Sequence, residues 1–325
     1  MGMSGWGLPG WLAALSCFGM VAARLGRRSW VLDLFSHFRA QYAVLLSGAA
    51  IWWAAAGAWP AAIAAAAGSG WLVWSVVPLY RKPARAPDQR PALRVAAINV
   101  LYINRAYLRA IAFIRQADPD LAVIAEVDAA WMEALRAGLP DYSHVISAPR
   151  DDGHGLVLLS RLPLETQRVV RLGKAGFPSV EACVSVGGHR LTVLGTHPFS
   201  PLGGRHFSLR NEQLAAVACH AARLEGPRLV VGDLNCTSWS PVFGDLLETA
   251  GLRDSRLGFG IQPTWPSFLW PPLRIPIDHC LVSPEVTVLR RMVGRSIGSD
   301  HLPVVLECAV DNNWGQPPIN ALPKR

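Results

Sequence analysis

The sequence predicts an α/β sandwich preceded by about three transmembrane helices. Three observations carry that expectation. The first 80 residues are apolar and hold only Arg24, Arg27, Arg28, Arg39 and Asp33 as charged side chains. A Pro- and Arg-rich stretch, RKPARAPDQRP, follows them. From residue 93 onward, short β-type apolar runs alternate with helically spaced segments, and many of the runs end on a polar residue.

The opening region divides into segments 6–23, 42–59 and 60–77, each apolar and uncharged. Each is about as long as the roughly 17–25 residues that cross a hydrocarbon layer. Trp52, Trp53, Trp59, Trp71, Trp74 and Tyr80 fall near the ends expected for those spans, where amphipathic rings settle. The alternative is a buried helical hairpin of a soluble protein. MGMSGWG has no positive n-region, so the first segment does not read as a cleaved signal peptide. Between the first two spans, Leu32, Phe35 and Phe38 recur at helical spacing, as in an amphipathic helix lying along an interface. The domain plan is a membrane region 1–80, a linker 81–92, a large domain 93–310 and a tail 311–325. With three spans, both arginine-bearing flanks share one side of the membrane. The positive-inside rule then puts the large domain in the cytoplasm.

The net charge of +8 leaves +3 on the first 80 residues and +5 on the rest. The large domain is mildly basic, which suits a phosphate-bearing ligand. Six cysteines without CxxC or paired spacing indicate neither a zinc site nor a disulfide framework.

Within the large domain, LRVAAIN ends at Asn99, LAVIAE at Glu126 and HRLTVLGTH at His197. RLVVGDLN carries Asp233 and Asn235, IPIDHCLVS carries Asp278, and GSDHLPV carries Asp300 and His301. One polar strand end is ordinarily a turn former. Eight, all Asp, Glu, Asn or His, make a set that binds a hard cation and moves protons. Two residues apart on a strand, Asp233 and Asn235 share one face. By the same alternation His279, Cys236 and Cys280 turn away, and His154 in DDGHG reads as a turn residue beside solvated Asp151 and Asp152.

In their order and spacing these motifs resemble the endonuclease/exonuclease/phosphatase superfamily over about residues 93–310. The resemblance implies a four-layered sandwich, two face-to-face β-sheets with helices outside and a metal site at one end. LLSRLPL, the helix LRNEQLAAVA with Arg210 and Gln213, and PTWP add smaller matches. PTWP and the apolar N-terminal spans are similar to a membrane-anchored bacterial branch of the family, some members of which are linked to glycopeptide resistance and polyprenyl-diphosphate hydrolysis. That reading would place the domain on the outer membrane face, against the arginine count.

What the resemblance implies for the chemistry is phosphate ester or anhydride hydrolysis by an activated water. Glu126 is the first metal ligand, supported by Asn99, with Asp300 completing or supporting the coordination. Such sparse oxygen ligation suits Mg²⁺, and Mn²⁺ should substitute. Asp233 is the water-orienting base, Asn235 holds the scissile phosphate and His197 donates to a non-bridging oxygen. His301, oriented by Asp278, activates the water or steadies the phosphoryl oxygens.

The loop GIQPTWPSFLWPPLRIPID supplies the candidate substrate contacts Trp265, Phe268, Trp270 and Arg274. Exposed, it would insert into lipid or stack on bases; folded down, it would be core. Its near-lack of basic residues favours a lipid-linked phosphate or diphosphate delivered by the bilayer. A membrane-tethered nuclease acting on DNA or RNA is the alternative. A non-catalytic lipid- or partner-binding domain is a third.

Overall fold

The structure, a computed structural model, describes residues 7–81 and 93–310. Most of the expected linker and the whole expected tail 311–325 lie outside the described residues. The large domain is built from two six-stranded sheets packed face to face. The first contains β1 (Leu93–Asn99), β2 (Leu121–Ala125), β3 (His144–Ala148), β4 (Leu156–Ser160), β11 (Val286–Val293) and β12 (Val304–Val310). The second contains β5 (Leu164–Arg171), β6 (Pro178–Val186), β7 (His189–Thr196), β8 (Arg228–Asp233), β9 (Arg253–Asp254) and β10 (Asp278–Val282). Helices α5 (Tyr107–Ala117) and α6 (Ala129–Gly138) cover the first sheet, and α7 (Gly204–Ala222) and α8 (Pro241–Ala250) the second. The expected sandwich is present.

Burial on both faces explains why the strands read as unbroken apolar runs. Val95, Ala97, Val123 and Leu158 point into the gap between the sheets, against Val180, Val193 and Val231. Their neighbours Ala96, Ile98, Ile124 and Val157 face α5 and α6 instead. Gly195 on β7 marks how close the sheets come: a Cβ there would lie 2.7 Å from Val123 of the first sheet and 2.7 Å from Val180. The GG pair after β6 makes the hairpin to β7, with Gly187 and Gly188 both at positive φ.

Each sheet has one parallel pair at its centre among the described strands, β1–β2 in the first and β7–β8 in the second. Each pair is joined by a helical crossover, α5 and α7 respectively. Parallel pairing brings the carboxyl ends of both strands to one edge of the sheet. Asn99 and Glu126 therefore emerge together, as do His197 and Asp233.

The N-terminal region folds as α1 (Gly7–Arg24), α2 (Trp30–Leu34), α3 (Arg39–Ala55) and α4 (Trp59–Val76). Its packing is inverted relative to a soluble bundle. Gly10, Ala13, Ser16 and Gly19 of α1, Ala43, Leu46 and Ala49 of α3 and Ala62, Ala65 and Ser69 of α4 are buried. Trp11, Phe18, Val44, Ile51, Ile63 and Trp74 are exposed. A Cβ on Gly19 would lie 2.5 Å from the Tyr42 ring, so a small residue sets that helix approach. The Ser47 and Ser69 hydroxyls hydrogen-bond across α3 and α4 at 2.8 Å.

The expectation of about three spans is corrected here. Among the described residues one helix, Trp59–Leu79, is long and apolar enough to cross a membrane. The segment 42–59 runs through the turn at Gly57, so α3 is cut to 17 residues that begin on Arg39. Helix α1 has 18 residues and ends on Arg24. Both lie at the short end of the roughly 17–25 residues of a full crossing, and each spends one of them on an arginine. The stretch expected to be an interfacial helix is α2 followed by a 3-10 turn at Phe35–Phe38. It buries Asp33, Ser36 and His37 and leaves Val31 and Phe38 outward.

Candidate active site

The polar strand ends converge at one edge of the sandwich, around a cleft of about 330 Å³. From the first sheet, Asn99 donates its amide to Glu126 Oε1 at 2.8 Å and to Asp233 Oδ2 at 3.2 Å. The Asn99 carbonyl accepts from the Leu101 N–H at 2.9 Å. Glu126 Oε2 takes the Tyr102 N–H at 3.1 Å. Leu101, Glu126 and Asn235 all have left-handed backbone, with φ of 58°, 63° and 49°. For Leu and Glu that conformation costs about 1–2 kcal/mol each, and such strain gathers at functional sites.

From the second sheet, His197 lies 3.6 Å from Glu126 Oε1 through Nε2 and 3.2 Å from the Asp233 carbonyl through Nδ1. Asp233 and Asp278 face each other in register across β8 and β10. His301 Nδ1 meets Asp278 Oδ2 at 2.9 Å, and its Nε2 lies 3.6 Å from Asp233 Oδ2. Asp278 is further tied by its backbone carbonyl, which accepts from Arg291 at 3.0 Å. Asp233 Oδ2 is thus flanked by the Asn99 amide and by two imidazoles, each 3.6 Å away. Asp233 Oδ1 accepts the Asn235 N–H at 2.9 Å.

Burial is the main influence on these groups. It raises the Asp233 carboxyl to about 6, above its ordinary value, with Asp278 adding repulsion and the two histidines opposing. Burial alone would depress His301, but the carboxylates of Asp278 and Asp233 outweigh it and lift the imidazole to about 10. His301 is therefore an imidazolium at neutral pH, its Nδ1–H given to Asp278. Asp278 is held below the usual carboxylate range: burial pushes upward, and the charge and hydrogen bond of His301 more than offset it.

The ligand atoms of Asp233, Asp278 and His301 lie within 4.8 Å of one another. There the His301 imidazole and the Asp278 carboxylate are bound to each other at 2.9 Å. Glu126 is the better seat: a carboxylate at the cleft surface, oriented by Asn99 and the Tyr102 N–H, with Asp300 lining the same cleft. Oxygen donors of this kind suit a hard divalent cation. Asn99, expected among the ligands, turns its NH₂ to the Glu126 and Asp233 carboxylates, and its side-chain carbonyl accepts from the Leu101 N–H. Asp300 accepts the Trp265 indole N–H at 2.9 Å.

The chain belongs to the endonuclease/exonuclease/phosphatase family. Residues 96–301 match that family, described as Endonuclease/Exonuclease/phosphatase family, and they span the whole cluster just described. Family members are phosphoester hydrolases and typically depend on a divalent metal. Solved structures agree on the fold. An endonuclease/exonuclease/phosphatase from Beutenbergia cavernae is 23% identical, with a TM-score of 0.55 over 68% of this chain and 72% of that one. A mannosyl-6-phosphatase from Bacteroides thetaiotaomicron is 20% identical, with a TM-score of 0.55 over 67% and 99%. TDP2 from D. rerio, complexed with a single-strand DNA product, is 17% identical, with a TM-score of 0.57 over 67% and 99%. At these identities the likeness carries the fold alone. No curated protein matches the chain.

Of the loop residues expected to meet substrate, Trp265 lines the cleft and Phe268, Trp270 and Arg274 do not. The loop is split. Trp265, Ile275 and Ile277 fold onto the site, while Phe268 and Trp270 are 77% and 71% exposed. Arg274 lies outside the cleft lining, its Nε donating to the Leu269 carbonyl at 2.6 Å. His279 packs in the core on the Cys236 carbonyl and against Phe243. The sequence reading missed His154, which lines the cleft stacked on Phe177 at 3.7 Å, with burial lowering it to about 4. Its DDGHG context signalled a turn and gave no sign of which side chains the turn would meet. Leu34 and His37 were missed too: they line the cleft from 160 or more positions upstream of the second sheet's contributions, a distance no local motif spans.

Proposed function

We propose that this chain is a membrane-associated, divalent-metal-dependent phosphohydrolase acting on a lipid-linked phosphate or diphosphate, for example a polyprenyl diphosphate. The observation that carries the reading is the mixed lining of the cleft. Glu126, His197, Asp233, Asn235 and His301 line it together with Leu34, Pro201, Leu202, Ile275 and Ile277. An amphiphile with a phosphate head and a hydrocarbon tail suits such a lining. Support comes from the inverted bundle, whose outward Trp, Phe and Ile side chains suit lipid and whose small inward residues suit helix packing in a bilayer. The exposed Phe268–Trp270 tip lies beside it: Gln41 of α3 donates to the Pro272 carbonyl at 3.0 Å. Kinship with the membrane-anchored, polyprenyl-diphosphate-cleaving branch fits these features, and magnesium is the proposed cation.

Glu126, with Asp300, would hold the cation, which when bound neutralises charge on the phosphoryl oxygens. Asp233 Oδ2 accepts the proton of the attacking water, its raised basicity suiting that task near neutral pH. His301 presents its Nε2–H to the negative charge that develops in the transition state, and Asp278 keeps that proton in place. Asn235 gives one amide hydrogen to the Pro198 carbonyl at 3.0 Å, which leaves its second for a phosphate oxygen.

The test is phosphate release from a polyprenyl diphosphate in detergent micelles with Mg²⁺, beside single- and double-stranded DNA. Release abolished by Glu126→Ala and by His301→Ala is expected, with the DNA intact. Nicked or shortened DNA with the lipid untouched would make the chain a tethered nuclease and overturn the proposal.

A further inference from the structure

We infer that Asp33, in the short stretch between α1 and α3, is a positioning residue for Asn235 and makes the N-terminal region part of the active site. Asp33 is the acidic residue of the first 80 positions, and it is buried against the large domain. Its Oδ2 accepts from Arg210 Nη2 at 2.5 Å, and its Oδ1 from the Ser240 hydroxyl at 2.7 Å. Arg210, on α7, is fully buried. Its other nitrogen, Nη1, donates to the Asn235 backbone carbonyl at 2.7 Å, and its Nε to Asn211 Oδ1 at 2.7 Å.

Asn235 is therefore gripped at three points: its N–H by Asp233, its amide by Pro198 and its carbonyl by Arg210. The third grip keeps a left-handed residue fixed where the phosphate is to be met. A guanidinium buried without a carboxylate would withdraw toward water, because an unpaired buried charge is strongly disfavoured. Asp33 is what keeps the Arg210 fork aimed at Asn235. Four residues along, His37 extends the same dock, its Nδ1 lying 3.1 Å from Thr237 Oγ1 in the loop that follows Asn235. Arg27 adds an outer clamp on Asp245 of α8 at 2.6 Å. The dock converges on the loop after β8, so the N-terminal region braces the phosphate-holding residue as well as the domain.

The inference rests on the proposed phosphate-holding role of Asn235, so its test has a readout that does not need turnover. In the full chain in detergent, Asp33→Asn should raise amide hydrogen exchange across 233–240 while leaving β1 and β2 protected. Its kcat on the polyprenyl diphosphate should fall about tenfold or more. In an Asn235→Ala background the same substitution should cost less than about twofold, because the residue it acts through is gone. The Asp33→Leu, Arg210→Met pair replaces the buried ions by apolar groups and should recover the melting temperature without recovering kcat. Equal kcat losses in both backgrounds, or a kcat restored together with the melting temperature, would overturn the inference. A wild-type chain without turnover sinks the proposed activity alone. The exchange data then decide, and unchanged protection at 233–240 would sink the positioning role.

Discussion

Asp233 and His301 titrate as a pair, and their opposite needs fix a window of activity. Asp233 acts only when deprotonated, and burial has moved that event up to about 6. His301 acts only when protonated, and its carboxylate neighbours keep the proton to about 10. The kcat/KM profile should therefore rise through pH 6, stay level, and fall toward pH 10; a profile peaking below pH 5 would contradict the assignment. Asp278→Asn should shift the alkaline fall to lower pH, since it removes the largest group raising His301, and should lower kcat by about 10²-fold or more. Glu126→Ala should abolish the response of activity to added Mg²⁺, read by titrating the metal against initial rate. Asp33 shows the limit of local reading. A lone acid in an apolar stretch is visible at once, but its partner stands 177 positions away, and nothing near either residue announces the other.

At the scale of elements, the site follows from two crossovers, each of which delivers a pair of strand ends. Those ends were legible because strand geometry is local: an apolar run that stops on Asn99, Glu126, His197 or Asp233 has to leave the core there. Of the spans, 60–77 was legible and lies within the helix Trp59–Leu79; their number was not, because hydropathy does not say where a turn will cut an apolar stretch, and the turn at Gly57 cuts α3 short. Gly232 gives an element-level test. It has φ of 147°, and a Cβ there would lie 2.0 Å from the Thr196 carbonyl oxygen. Gly232→Ala should force β7 and β8 apart beside the site and lower stability by about 1–3 kcal/mol, measured by thermal unfolding. A variant as stable as the wild type would mean that the strands have room to give.

For the whole molecule, the exposed tip and the inverted bundle should act as one lipid-facing surface. Phe268→Ser with Trp270→Ser should weaken sedimentation with phospholipid vesicles and lower turnover of a micellar substrate, while leaving a short-chain soluble phosphate ester unaffected. Equal losses on both substrates would place the tip in the chemistry instead. The two sheets carry a different consequence. The bond from Asn99 to Asp233 and the contact from His197 to Glu126 both bridge the gap between them, so the site works as a gauge of that gap. A machine part ground to tolerance fails when its mating face shifts, even though nothing has broken. Gly195 is the shim: adding one methyl there should wedge the sheets, lengthen both bridges and cut kcat, alongside the loss of about 1–3 kcal/mol expected of an overpacked core.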